Sequence, residues 1–181
     1  MNATVELSIQ EKLLEALETY DTQTRKARAE RIQWLSLHSP TLPVVMGRTE
    51  TLHLLGEARQ SFINGHFIAA LLVSMACIEH CIVEELGLLG LIQKSPFFSE
   101  AIKIATKNKV FPPDWLKRAE RLSLRRNPFA HLKEPDHRHA LGARIREEQK
   151  HPQTIVEADA KDAVSLMYDF FVATLRKAAF D

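Results

Sequence analysis

The chain has 181 residues, of which 45% are hydrophobic and 26% are charged, as in an ordinary globular protein. This length suffices for one full domain with its own core and for some additional structure. The formal net charge is +1, which excludes a strong overall positive field. Any attraction for a polyanion must therefore come from a local basic patch.

The N-terminal residues show no basic segment followed by an apolar one, so no secretory signal is predicted. The longest apolar run, Phe67 to Ile78, is shorter than the roughly 20 residues that cross a bilayer. Cys77 and Cys81 lie four positions apart, a spacing that favours core packing over a disulfide. A zinc site that adds His80 lacks the four ligands of a tetrahedral ion. We therefore expect a cytoplasmic protein with no membrane span.

Residues 1–47 differ in pattern from the rest of the chain. Residues 4–37 contain neither Gly nor Pro and predict one long helix or two joined helices. The apolar face of this segment is formed by Leu7, Leu13, Leu14, Leu17 and Tyr20. Residues 24–31 are basic, and a solvated helix face is favoured there over contact with a polyanion or a partner. A connector with two prolines, residues 38–47, ends this extension, which is either an appendage or an extra layer on the domain.

Residues 48–181 are expected to form one helical domain, because apolar residues recur there at helical spacing. Helices are predicted over about 49–63, 66–89 and 95–106, from residue 112 onward, and over about 154–179. The helix at 66–89 is apolar nearly all round in its first half, which indicates a central position. The predicted fold class is all-α, an up-and-down bundle of four to five core helices plus the N-terminal helical extension.

Several helix ends are also predicted. Asn64-Gly65 is typical of a left-handed C-cap, and Ser95 of an N-cap that leaves Phe97 facing inward. Thr154 begins a pattern typical of a capping box. The polar segment 134–153 predicts a long loop with one or two helical turns near residues 141–150, a candidate lid over a site.

Arg126, Asn127 and His131 stand within six residues at the end of a predicted helix. A guanidinium forks onto phosphate oxygens, and an imidazole titrates near neutral pH and serves as an acid or a base. Together with a neutral amide, these groups suit the binding of a phosphodiester and proton transfer on it. The three residues are therefore candidate catalytic residues.

The spacing of this motif poses a geometric problem. Five positions on a continuous helix turn the chain by roughly 140°, so Arg126 and His131 would not share a face. Pro128 predicts a kink or a restart, with Asn127 as the N-cap of the new turn. Two alternatives stay open: Asn127 only caps a helix, or His131 is a buried core histidine satisfied by a carboxylate.

Glu79 falls among apolar residues of the central helix, where a carboxylate needs a cation or a proton. Arg126 is one candidate cation. In the alternative, Glu79 belongs to a polar strip with His80 and Glu84.

Three further arginines precede the motif. They are spaced by three and four, so they share a helix face that leads to the motif. They are Arg118, Arg121 and Arg125. This is the basic cluster predicted to bind the backbone of a nucleic acid.

The pattern Arg126-Asn127-x-x-x-His131, with a long apolar helix before it and an amphipathic helix after it, resembles the signature of the HEPN superfamily. These are small all-helical domains found in many prokaryotic toxins and RNA-guided defence ribonucleases. The resemblance covers roughly residues 48–181. It implies RNA cleavage without metal or cofactor, in which the 2′-hydroxyl is the nucleophile.

The same resemblance implies roles for the residues and partners. His131 would transfer protons, Arg126 would bind the scissile phosphate, and Asn127 would orient the substrate or hold the other two. Glu79 would be the acidic residue that faces the motif. The implied partners are RNA and a second copy that joins two motifs in one cleft, together with a protein antitoxin or regulatory partner.

Three functions are compatible with these patterns. The first is a metal-independent endoribonuclease, as in a toxin or defence effector. The second is a non-catalytic HEPN-like regulatory protein that acts through protein or nucleotide contacts, as in the mannitol-operon repressor family. The third is a helical scaffold with an accidental motif, which predicts a buried His131. A metal site of His131, His137 and His139 is disfavoured because too few ligands are present.

Overall fold

The computed structural model describes residues 8–39, 48–134 and 136–175. Within these ranges it has seven α-helices and no strand, which confirms the all-α bundle. The helices are α1 (Ile9–His38), α2 (Thr49–Ile63), α3 (Phe67–Leu88), α4 (Phe98–Lys107), α5 (Pro113–Ala130), α6 (Leu141–Glu148) and α7 (Pro152–Thr174). Leu7, residues 40–47 and the predicted end at Ala179 lie outside the described ranges.

Helix α3 is the centre of the bundle and contacts α2, α4, α5 and α7. Its side chains are buried at helical spacing on several sides, as Leu71, Met75, Ile78 and Ile82 illustrate. Each such burial removes a whole aliphatic side chain from water and stabilises the fold by about 1.5–3 kcal/mol. The five helices with an extensive buried face, α2, α3, α4, α5 and α7, form the core that was predicted.

Among the described residues, α3 is also the one helix that is long and apolar enough to cross a membrane. Half of its most apolar stretch is buried against the other helices. The central helix of a globular bundle has the same length and composition, so the packing of α3 accounts for its apolar character.

The two cysteines pack in the core, as predicted. Both are buried and neither is in a disulfide. The Sγ atom of Cys77 lies 3.8 Å from the carbonyl oxygen of Thr51 on α2. A hydrogen bond with Cys81, together with burial, raises the pKa of Cys77 well above its ordinary value. Cys77 therefore stays protonated at neutral pH and serves as a packing residue.

Helix α2 has the predicted bounds, and its predicted C-cap is confirmed. Gly65 has a φ of +79°. Its N–H donates to the carbonyl oxygen of Phe62 at 3.1 Å, and that of His66 donates to Ser61 at 2.9 Å. These two bonds satisfy carbonyl groups at the helix end, and the conformation favours glycine because it has no Cβ.

Two predicted N-caps are wrong. Helix α4 is capped at Phe97, whose ring is exposed, so Phe98 takes the core position that was assigned to Phe97. Helix α7 begins at Pro152 and not after Thr154, because the ring of Pro152 already has the helical φ. The Nδ1 atom of its N-cap, His151, accepts a hydrogen bond from the backbone N–H of Gln153 at 3.2 Å.

Helix α1 is one continuous helix with two different environments. Its second half packs on the α2–α3 corner, where Leu35 is buried and Arg31 Nη1 donates to the carbonyl oxygen of Ile63 at 2.7 Å. The guanidinium of Arg31 also lies over the ring of Phe67 at 5.2 Å. Residues 8–23 are exposed at every position. The extension is thus an extra layer at one end and a projecting helix at the other.

Candidate active site at the end of helix α5

Helix α5 carries the motif and runs without interruption from Pro113 to Ala130. Pro128 lies inside this helix, so the predicted restart at Pro128 with Asn127 as an N-cap is wrong. Pro128 has no N–H to donate to the carbonyl oxygen of Leu124, so α5 loses one hydrogen bond in its last turn and ends two residues later, at Ala130. The motif is therefore arranged by the end of α5, and His131 is the residue at which the chain leaves the helix.

Arg126 points from α5 toward the central helix and meets Glu79 there. Its Nη2 lies 3.9 Å from Oε2 of Glu79, and both side chains are partly buried. The prediction that Arg126 is the cation for Glu79 is thus confirmed by the geometry. The buried Nε of Arg126 has no hydrogen-bond partner among the described residues. The two Nη groups of this partly exposed side chain also make no hydrogen bond in the described ranges, and these are the donors that remain for a ligand oxygen.

His131 has an extended backbone, and its N–H donates to the carbonyl oxygen of Asn127 at 2.8 Å. Its side chain is exposed. Within the described ranges, neither the imidazole of His131 nor the amide of Asn127 has a hydrogen-bond partner. The alternative of a core histidine satisfied by a carboxylate is therefore wrong, as is the buried His131 that an accidental motif predicts.

The other three arginines of α5 face a different neighbour, helix α7. Arg118 Nη2 lies 2.8 Å from Oδ1 of Asp162, and Arg121 Nη2 lies 2.7 Å from Oδ2 of the same carboxylate. Arg118 also reaches Asp169 at 3.4 Å. Burial raises the pKa of Asp169 above its ordinary value, although the charge of Arg118 opposes this. The pairs join α5 to α7, which run antiparallel at this contact.

Asp159 of α7 is a fully buried carboxylate between α5, α6 and α7. Arg125 Nη1 donates to its Oδ1 at 2.6 Å. Arg144 of α6 makes two further hydrogen bonds to Asp159, through Nη1 to Oδ2 and through Nη2 to Oδ1 at 3.2 Å. A buried carboxylate is stable only with such compensation. The carboxylate of Asp159 thus fixes α6, the helical turns predicted within the polar segment, against the bundle.

Arg144 is itself buried and has a second partner on its own helix. Its Nη2 lies 3.1 Å from Oε1 of Glu148. Burial acts to lower the pKa of Arg144, but the hydrogen bond and charge of Asp159 outweigh it and raise this pKa. Burial acts to raise the pKa of Glu148, whereas the charge and hydrogen bonds of Arg144 lower it, with a net decrease.

The predicted site residues therefore fall into two groups. Arg126, Asn127 and His131 lie at the end of α5, and Glu79 meets the first of them. The basic cluster does not extend the motif, since its guanidinium groups lie against α7 and α6. The contact of this basic cluster with RNA stays a prediction. Arg121 has the most exposed side chain of the three arginines, at 52%.

A cleft of about 430 Å³ lies beside Glu79 along α3. It is lined by Glu79, His80, Glu84, Arg48 and Ser95, among others. Glu84 accepts a hydrogen bond from Thr51 at 3.0 Å. Glu79, His80 and Glu84 do share this cleft, so the predicted polar strip exists together with the Glu79–Arg126 pair. The volume suits a small ligand or one nucleotide.

Sequence reasoning missed the carboxylates that bind the basic cluster. The signal was present, because Asp159, Asp162 and Asp169 are three and seven positions apart and so share one face of α7. A helix face of arginines and a helix face of aspartates in one small domain predict an ion-pair ladder. Arg144 was seen as part of a loop, and no local pattern distinguished it from an exposed arginine.

The histidines of the polar segment contact each other and a neighbouring arginine. The rings of His137 and His139 lie 5.6 Å apart, and Arg138 Nε lies 2.9 Å from Nε2 of His139. No group of three or more metal-binding side chains occurs in residues 8–39, 48–134 and 136–175. Burial, followed by the charges of neighbouring cations, lowers the pKa of His139 below its ordinary value.

Comparison with protein-family models, with curated proteins and with solved structures finds no match to this chain.

Proposed function

We propose that this protein is a metal-independent endoribonuclease, of the kind that acts as a toxin or a defence effector. In the reaction, the 2′-hydroxyl of a ribose attacks the adjacent phosphorus. A 2′,3′-cyclic phosphate forms, the bond from phosphorus to the 5′ oxygen breaks, and a 5′-hydroxyl leaves. One proton is removed from the 2′-hydroxyl and one is delivered to the 5′ oxygen.

One observation carries this proposal: Arg126 is the arginine of α5 whose guanidinium makes no hydrogen bond in the described ranges, and it stands five positions before the exposed His131. Arg118, Arg121 and Arg125 are all held by carboxylates at 2.8 Å or less. The contact of Arg126 with Glu79 is longer, at 3.9 Å, and neither of its Nη groups has a hydrogen bond in the described part of the chain. A phosphate oxygen satisfies such a guanidinium, which then stabilises the charge that builds at phosphorus.

His131 supplies proton transfer in this scheme. Its exposed ring, without a hydrogen-bond partner in the described ranges, is accessible to a substrate hydroxyl. Glu79 holds the guanidinium from the α3 side, and Asn127 offers a neutral amide next to it. A second copy would supply the second imidazole, so that one histidine takes the proton from the 2′-hydroxyl and the other protonates the leaving oxygen. DNA lacks the 2′-hydroxyl and is not a substrate in this scheme.

The test is cleavage of a mixed RNA pool by the purified full chain in excess EDTA. We expect cyclic-phosphate ends, no cleavage of DNA of the same sequence, and a loss of at least about 100-fold in His131→Ala and in Arg126→Ala. His53→Ala and Arg59→Ala, both at exposed positions of α2, are the matched controls.

Two outcomes contradict the proposal. One is an inactive wild-type chain that folds normally, and the other is full activity in His131→Ala. Either result would favour the non-catalytic regulatory protein, which requires a binding partner but no proton transfer.

A further inference from the structure

The first half of α1 carries an apolar stripe that contacts nothing in the described chain. Its members are exposed by 53% to 81%, which is unusual for side chains of this size. They are Ile9, Leu13, Leu14, Leu17 and Tyr20. Helical spacing predicted one face for Leu13, Leu14, Leu17 and Tyr20, and the structure adds Ile9 to it and leaves that face open.

This half of α1 is a well-formed helix. Ser8 and Glu11 form a capping box, in which the backbone N–H of Ser8 donates to Oε2 of Glu11 at 2.8 Å and the N–H of Glu11 donates to Oγ of Ser8 at 3.3 Å. A single helix of this length is only marginally stable in water without a packed face. A cap together with an open apolar stripe indicates that another surface covers the helix.

The direction of the stripe restricts what can cover it. The stripe continues along α1 in steps of three or four residues, which keeps its members on one face of the helix. These members are Leu13, Leu17, Tyr20, Thr24 and Ala27. From Thr24 onward that same face packs on the bundle of its own chain. Residues 9–23 therefore project about 22 Å beyond the bundle, at a rise of about 1.5 Å per residue.

A second copy of the chain fits this geometry in one orientation. In a parallel pair, each bundle would occupy the space that the partner helix needs. In an antiparallel pair, each bundle lies beyond the N-terminus of the other helix, and the two projecting halves pack against each other. We infer that two copies of this protein associate through an antiparallel pair of α1 helices, with the two-fold axis between Ala16 and Leu17.

The residues around that axis are complementary. Leu13 of one copy packs against Tyr20 of the second copy, and the small side chain of Ala16 leaves room for Leu17. Helical spacing places Glu11, Glu15 and Glu18 on the opposite side of α1, so no cluster of carboxylates meets its own copy. At roughly 100 Å² for each of five side chains, two copies bury about 1,000 Å² of apolar surface, near the lower limit of specific interfaces.

The association is tested by measuring the mass of the full chain in solution by light scattering and sedimentation. We expect the wild type to have twice the mass of the double variant Leu13→Glu and Leu17→Glu. The matched control is Leu37→Glu, because Leu37 is equally exposed on another side of the same helix. The bundle should unfold with the same cooperativity in all three proteins, since residues 9–23 contribute nothing to its core.

The orientation is tested by disulfide formation between variants that each carry one added cysteine on α1. The native Cys77 and Cys81 do not interfere, because both are buried. Ala16→Cys should cross-link to itself under mild oxidation. Ile9→Cys should not, although it should cross-link when mixed with Gln23→Cys. A monomeric wild type, a double variant with the same mass as the wild type, or self-linking of Ile9→Cys would overturn the inference. The α1 pair holds the two bundles at its opposite ends, so the second imidazole of the proposed ribonuclease site would come from a separate contact, and ribonuclease activity does not bear on this inference.

Discussion

Arg125 of α5 and Asp159 of α7 are 34 positions apart in the chain and meet at 2.6 Å, Nη1 to Oδ1. Arg144 of α6 binds the same carboxylate from the other side. One buried aspartate thus connects three helices, and it does so next to the residue that begins the candidate catalytic motif, Arg126. The stability of the motif-bearing helix and the placement of α6 depend on the same carboxylate.

Replacing Asp159 with asparagine should destabilise the protein strongly. The substitution removes the negative charge that compensates Arg125 and the buried Arg144, and breaking a buried pair in this way costs about 3–5 kcal/mol. Asp162→Asn is the control, because the Asp162 side chain is itself 22% exposed, whereas Asp159 is fully buried, and the expected loss is about 1 kcal/mol. Urea denaturation followed by circular dichroism gives both free energies of unfolding. Equal losses for the two variants would contradict a special role of Asp159.

The protein should lose stability on acidification because of His139. Burial, and then the charges of Arg138, His137, Arg125 and Arg144, lower the pKa of His139 from its ordinary value of 6.5. The unfolded chain therefore binds this proton first. The stability contributed by neutral His139 is present above the ordinary pKa and is lost as the pH falls through the lowered value in the folded state.

The measurement is the free energy of unfolding between about pH 7 and pH 5 for the wild type and His139→Gln. We expect a shallower dependence in the variant, with a slope difference of less than about one proton. His53→Gln, on an exposed position of α2, should retain the wild-type slope. Identical slopes in all three proteins would show that His139 is not responsible.

Glu79 should act on cleavage through Arg126 alone. Glu79→Gln keeps the shape of the side chain but weakens the hold on the guanidinium, so we expect a loss of about tenfold in cleavage rate with normal folding. In an Arg126→Ala background, the same change should have no further effect. Single-turnover cleavage by the four proteins of this double-mutant cycle tests the coupling. Independent effects of the two changes would place Glu79 in contact with substrate instead.

Arg121 is the residue that best tests the predicted RNA contact of the basic cluster. Its guanidinium pairs with Asp162 on one side, but 52% of its side chain is exposed. If it contacts a backbone phosphate, Arg121→Ala should weaken binding of all RNA sequences and reduce the salt dependence of the affinity by about one ion. Fluorescence anisotropy at several salt concentrations measures this slope. Arg118→Ala is a control, since its guanidinium is committed to two carboxylates.

The sequence by itself determined the helical fold and the position of most helices. Apolar spacing is a local property, and it identified α2 at its observed bounds and α3 as the central helix. It also placed Arg126, Asn127 and His131 at the end of a helix, because the apolar periodicity of the preceding segment stops there. The starts of two helices were less well predicted. Ser95 and Thr154 are stronger N-cap residues than those that the structure uses, so the sequence favoured them over the observed cap at Phe97 and the observed start at Pro152.

Only the tertiary structure decided which carboxylate each arginine meets. Arg118, Arg121 and Arg125 looked like an open basic face, but Asp159, Asp162 and Asp169 lie opposite them at separations of 34 to 51 residues. Periodicity within one helix contains no information on its neighbour. The first half of α1 is a second example. The sequence determines which of its residues form an apolar face, but only the tertiary structure shows that the bundle ends before this half and leaves the face exposed.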